Sequence, residues 1–133
     1  MDNTNWKNEF TYTLGVQAFI YGFPYIYLPQ IRYKWTNIKS ESPHAPHIAI
    51  NSFWRASKMI TSDYKDGGSP NNDTFYAIGI LDLTEGPVIL EHPDMGDRYF
   101  TFELADMSSD NFDYIGKRAT GSKAGKFLIY HKD

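Results

Sequence analysis

Apolar residues recur in two different rhythms along this 133-residue chain, and the change near Thr74 constrains the fold more than any other feature. In Asn3–Leu28, Trp6, Phe10, Leu14, Ala18 and Tyr21 return at steps of three or four, the spacing that places them on one face of a helix. Val16, Phe19, Ile20 and Phe23 add a second apolar face, which predicts burial on both sides. Asn3 or Thr4 is suited to cap the start. Gly22 and Pro24 interrupt the pattern, and a proline there kinks or ends a helix. A second short helical piece is expected over Tyr25–Tyr33, broken again near Pro29.

From Thr74 onward the segments are short and strand-like. Phe75–Leu83, Val88–His92, Arg98–Leu104 and Lys126–Tyr130 are each bounded by Gly, Pro or Asp. In Arg98–Leu104, Phe100, Phe102 and Leu104 alternate with Tyr99, Thr101 and Glu103, so the two sets face opposite ways. Thr84–Pro87 and Pro93–Asp97 read as tight connections, predicting that the first three strands form an antiparallel meander. Helices followed by a run of strands is the α+β order. The expectation is one domain over residues 1–133: kinked N-terminal helices, then an antiparallel β meander. Lys34–His47 and Thr61–Asn72 read as loops. Ile48–Ile60 fits a short extended piece followed by helix.

Composition narrows the function classes. A net charge of −3, with no run of basic residues, argues against a grip on nucleic-acid phosphates. With no cysteine, disulfides, thiolate metal sites and cysteine nucleophiles are excluded. Aromatic residues make up 17% of the chain, enough to favour strands and stacking surfaces. The start, MDNTNWKNEF, lacks the basic-then-apolar order of a signal peptide, and no apolar stretch reaches the ~20 residues that span a bilayer. A cytoplasmic location is compatible with this, as is export if the start is trimmed.

Candidate chemistry is sparse. Asn71, Asn72 and Asp73 precede an apolar run, where Asn and Asp are natural turn formers and also polar anchors for a ligand. His44 and His47 have ligand spacing without a nearby acid, and read as surface loop residues rather than a metal site. His92 ends a strand, where solvation explains it. Among Asp63, Asp66, Asp94, Asp97, Asp106, Asp110 and Asp113, Asp106 stands out. It follows an apolar strand, and Arg98 on that strand is a candidate charge partner. No Gly-x-Ser-x-Gly, GxGxxG or phosphate loop occurs, so no cofactor is expected. Gly116-Lys-Arg-Ala-Thr-Gly121 reads as a turn with Gly121 at positive φ, or as an anion loop.

One ordered set of motifs is more specific. Pro70-Asn71-Asn72-Asp73-Thr74-Phe75-Tyr76, Leu81-Asp82-Leu83 and Gly86-Pro87-Val88 follow one another. Tyr21-Gly22-Phe23-Pro24, Asn51-x-Phe53, Pro93-Asp94, Arg98-Tyr99, Asp106, Ile115-Gly116 and Thr120-Gly121 add to them. Together these resemble the domain of unknown function 1254, a bacterial family also found in other microbes and viruses. The resemblance spans Ala18 to Tyr130. It departs where family members carry a histidine after the Asn-x-Phe segment, since Trp54 and Arg55 stand there. Members also continue into a second, mostly β domain, so the chain looks like the N-terminal domain alone.

The resemblance implies two readings. The first is one half of a two-domain protein, forming a small-molecule or polymer-binding cleft lined by Asn71, Asn72, Tyr21 and Asn51. Its last strand would be covered by a C-terminal β domain or a homo-oligomer partner. The second is a hydrolase-like or lyase-like enzyme with Asp73 or Asp106 as base, Tyr76 as proton donor and Arg98 holding an anionic group.

Overall fold

A computed structural model describes residues 5–37, 46–64, 68 and 70–132. Among the described residues a single helix, α1 (Asn5–Asn37), precedes six strands: β1 (Phe53–Arg55), β2 (Ala77–Gly79), β3 (Val88–His92), β4 (Thr101–Ala105), β5 (Asn111–Gly116) and β6 (Gly125–Ile129). The α+β order read from the sequence is the order observed. His44, Asp66 and the capping candidates Asn3 and Thr4 lie outside the described residues.

The helix is longer than its pattern suggested. α1 runs without a break through Pro24 and Pro29, joining the two expected pieces and taking in Lys34–Asn37, which read as loop. Each proline lacks the N–H that would bond four residues back, so the carbonyls of Ile20 and Tyr25 lose their helical donors. Local bonds return some polar groups to the helix: Thr13 Oγ1 donates to the Glu9 carbonyl at 2.9 Å, and Thr36 Oγ1 to the Arg32 carbonyl at 2.8 Å. The expected burial on both faces is absent. No residue of α1 is buried, because no described strand packs along it. Polar ties hold its C-terminal end to the rest, among them Arg32 Nη2 to Asp82 Oδ2 at 2.7 Å, and Ile48 N donating to the Trp35 carbonyl at 2.9 Å. Among the described residues, no helix is long and apolar enough to cross a membrane.

The strands pair differently from a meander. β1 pairs with β2, β3 with β6 and β4 with β5, all antiparallel, as three two-stranded sheets. The connection after β3 explains why β3 and β4 are not partners. Asp94 Oδ1 accepts from Gly96 N at 2.8 Å, and Met95 N donates to the Ser122 carbonyl at 2.8 Å. These bonds fasten the turn to the approach of β6, so the chain leaves β3's ladder before β4 begins. β4 then takes the local partner, β5, with a register shift between Leu104 and Ala105. β5 is a strand that the sequence reading did not identify. Ile48–Ile60 contributes β1 but no helix.

Isolated two-stranded ribbons are marginal in water. Here two of them share a core. Leu90 from β3, Ile115 from β5 and Ile129 from β6 are buried together, with Phe102, Leu104 and Phe127 packed against them. The alternation read in Arg98–Leu104 holds: Phe102 and Leu104 face this core, while Tyr99, Thr101 and Glu103 are exposed. Gly116 is buried where β5 passes β4 closely. A Cβ there would collide with the Phe100 carbonyl oxygen and lie 2.7 Å from Thr101 Cα. On the outer face of β3–β6, Lys126 Nζ pairs with Glu91 Oε1 at 2.7 Å.

Candidate functional site

Three local structures hold the residues that the sequence singled out, and no hydrogen bond or ion pair among the described residues joins Asp73, Arg98 and Asp106 to one another. The first is the loop leading into β2. Asn71 N donates to the Tyr76 hydroxyl oxygen at 2.7 Å, closing Pro70–Tyr76 on itself. Tyr76 is half-buried, while Asn71, Asn72 and Asp73 are exposed. Among the described residues the Asp73 carboxylate makes no hydrogen bond or ion pair.

The second centres on Asn51 and Asp82. Asn51 adopts φ 58°, a left-handed conformation that asparagine tolerates better than most residues. From there its amide reads the backbone of Asp82. Oδ1 accepts from Asp82 N at 2.8 Å, and Nδ2 donates to the Asp82 carbonyl at 3.1 Å. The Asp82 carboxylate accepts from Thr84 Oγ1 at 2.6 Å and Thr84 N at 3.1 Å, and pairs with Arg32. The Thr84 bonds, with the Arg32 charge added, hold its pKa below the ordinary 3.8. Two of the motifs, Asn51-x-Phe53 and Leu81-Asp82-Leu83, therefore meet in one polar hub.

The third is the β4–β5 turn. Asp106 Oδ1 accepts from Ser108 Oγ at 2.5 Å, Ser108 N at 2.8 Å and Asp110 N at 3.2 Å. Ser109 sits at φ 69° inside this turn. These donors, Ser108 foremost, keep the Asp106 carboxyl below 3.8. The expected Arg98–Asp106 pairing is not formed. Arg98 lies before β4, where its Nε donates to the Met95 carbonyl at 3.1 Å, and Asp106 lies after it. Tyr21 is far from any such cluster in sequence and stands 75% exposed on α1.

The Gly116–Gly121 loop is a turn built around one carbonyl. Gly116 O accepts from the N–H groups of Ala119, Thr120 and Gly121, and Gly121 takes φ 86° as the sequence suggested. Donors that converge on their own chain in this way are not aimed at an anion.

His92 departs most from its sequence reading. It is 6% exposed, not a solvated strand end. The ring stacks on Phe127 at 5.7 Å and tilts against Phe100 at 4.7 Å. Nδ1 lies 2.8 Å from the Pro93 carbonyl, which makes it the protonated nitrogen, and Nε2 is buried with no hydrogen-bond partner among the described residues. Gly125 makes room for it, since a Cβ there would stand 3.0 Å from Nε2 and 2.7 Å from Phe127. The alternation Val88, Leu90, His92 was the available signal, because period two places the imidazole on the Leu90 side.

A groove of about 410 Å³ runs between β5 and β6, lined by Leu104, Asp113, Tyr114, Lys126, Phe127 and Tyr130 among others. It combines aromatic faces with one acid, one amine and two phenols. Among the described residues no three His, Asp or Glu groups are placed to hold a metal ion.

Comparison with known proteins gives one match. The family model described as "Protein of unknown function (DUF1254)" matches residues 50–133, more than half of the chain. The Tyr21–Pro24 motif lies outside the matched residues. No curated protein and no solved structure matches.

Proposed function

The chain belongs to the DUF1254 family, and from that premise we infer that it acts by binding, as one half of a composite cleft for a small molecule or polymer. The observation that carries this reading is the groove between β5 and β6. Aromatic rings and a few polar groups converge there, the usual chemistry of a ligand site. Among the described residues each of the two strands pairs along one edge, and a second body of protein would meet the other. The exposed Asn72 and Asp73, beside Asn71, add polar anchors on the β2 loop. A C-terminal β domain or a second chain would complete the walls.

The hydrolase-like or lyase-like alternative has less support. Its Asp106 holds three donors of its own turn on Oδ1, and its Arg98 is bonded to Met95. Only Asp73 and Tyr76 remain near each other in sequence with an uncommitted carboxylate. The test is a fragment and oligosaccharide screen on isotope-labelled protein. Binding predicts amide shifts confined to residues 112–115 and 126–130, with or without 71–76. A screen giving no localised shifts would remove the reading. Ligand turnover lost in Asp73→Asn would favour the enzyme.

A further inference from the structure

The chain exposes 10493 Å². A compact monomer of 15.3 kDa exposes only about 7,100 Å² on the usual size scaling, so roughly 3,300 Å² is in excess. Much of the excess lies on α1, whose apolar residues are spread around all faces: Phe19, Ile20, Tyr21 and Ile26 are 65–75% exposed. A helix that is apolar all round belongs in an interior. A stable interface needs about 800 Å² from each partner, several times less than the excess.

The same helix carries both halves of a packing surface. Ala18 and Gly22 form the floor of a shallow groove of about 220 Å³, and Phe19, Phe23, Ile26 and Tyr27 form its walls. Protruding rings and a small-residue floor on one element suit a contact between identical surfaces, the kind that closes a two-fold dimer. We propose that α1 is a homodimerisation helix, pairing antiparallel with a second copy about a two-fold axis near Gly22. Phe19, Phe23 and Ile26 of each copy fill the groove of the other. Gly22 stands one position from Tyr21, the midpoint of Asn5–Asn37, so the two helices overlap along their full length. The antiparallel sense follows from the ties at the C-terminal end of α1, which fix the strand region there through Arg32–Asp82 and Trp35–Ile48. Antiparallel pairing separates the two sets of ties by about 30–40 Å along the helices, whereas parallel pairing crowds them together. The dimer goes beyond the binding reading and does not rest on it, since its contact lies on α1, which lines no part of the β5–β6 groove, and mass is measured without ligand.

Light scattering on the full chain after size exclusion is the first test. The proposal expects twice 15.3 kDa. A 15.3 kDa species with helical circular dichroism intact overturns it, as do aggregates without fixed stoichiometry. Because the chain has no cysteine, single-cysteine variants locate the axis. With a short bis-maleimide, Gly22→Cys should cross-link to itself. Tyr12→Cys should not, because its copies lie about 30 Å apart in the antiparallel pair. Equal cross-linking of both, or cross-linking of Tyr12→Cys alone, overturns the arrangement. Phe23→Asp should weaken the dimer at least tenfold with the strand region still folded, while Ile89→Asp, on the exposed face of β3, leaves the mass unchanged. A dimer that survives Phe23→Asp also overturns the proposal.

Discussion

α1 and the β3–β6 region solve opposite problems. The helix has 33 residues and buries none of them, yet it runs unbroken through two prolines. The strands are five or six residues each, individually marginal, and yet enclose Leu90, Ile115, Ile129 and His92. Backbone geometry therefore does not mark where stability resides. In this molecule it resides where side chains from non-adjacent strands meet.

The sharpest way to break that contrast is a pair of truncations. Ile115→Ala should cost the strand region about 4 kcal/mol, from lost burial plus a cavity, measured as a lower urea midpoint. Ile20→Ala, 66% exposed and outside the α1 groove, should leave that midpoint unmoved. If both shift it equally, the helix and the strand core unfold as one unit and the contrast fails. Gly116→Ala comes next, at about 3 kcal/mol, because the added methyl meets backbone rather than a movable side chain. Amide shifts at Phe100 and Thr101 should accompany it.

Smaller effects probe the joint between the two regions. Asn51→Ala removes both bonds to the Asp82 backbone and should cost about 2 kcal/mol. Hydrogen exchange at Asp82 should quicken in proportion, with β4–β5 unaffected. The smallest effect is set by pH. Asp82, Asp94 and Asp106 have carboxyls held below 3.8 by Thr84, Lys123 and Ser108 respectively. A carboxyl lowered in the folded state is protonated first in the unfolded chain, so its stabilisation is complete above about pH 4–5 and declines as pH falls through the folded values. The urea midpoint should be flat near neutrality and fall in acid, and Ser108→Ala should make that fall shallower.

How much of this was readable in the sequence differs between the regions in the same way. The α+β order, the alternation of Phe102 and Leu104, and the positive φ of Gly121 followed from local rules. The strand pairing did not, because it depends on Met95 reaching Ser122, a contact between segments that are distant in sequence. β5 was missed since Asp113 and exposed Phe112 and Tyr114 blur its alternation. The prolines of α1 were read as breaks because propensity treats each residue alone, while a long helix can carry two missing bonds. For the candidate site, the motif residues Asn51, Asp82 and Tyr76 were visible as a set. Their role as internal fastenings was not, since spacing cannot show that an amide side chain reads another residue's backbone. His92 was classed by its neighbour Pro93 rather than by its period.

The pairing of β3 with β6 also has a consequence in time. These strands come together only after the intervening chain has been gathered, which is slow for a flexible loop. The β4–β5 hairpin closes locally across Asp106–Asp110, fastened by the Asp106 side chain, and shortens the path that β6 must travel. A weakened Asp106 turn should therefore delay folding more than it hastens unfolding, which gives that aspartate a kinetic role that its exposed position conceals.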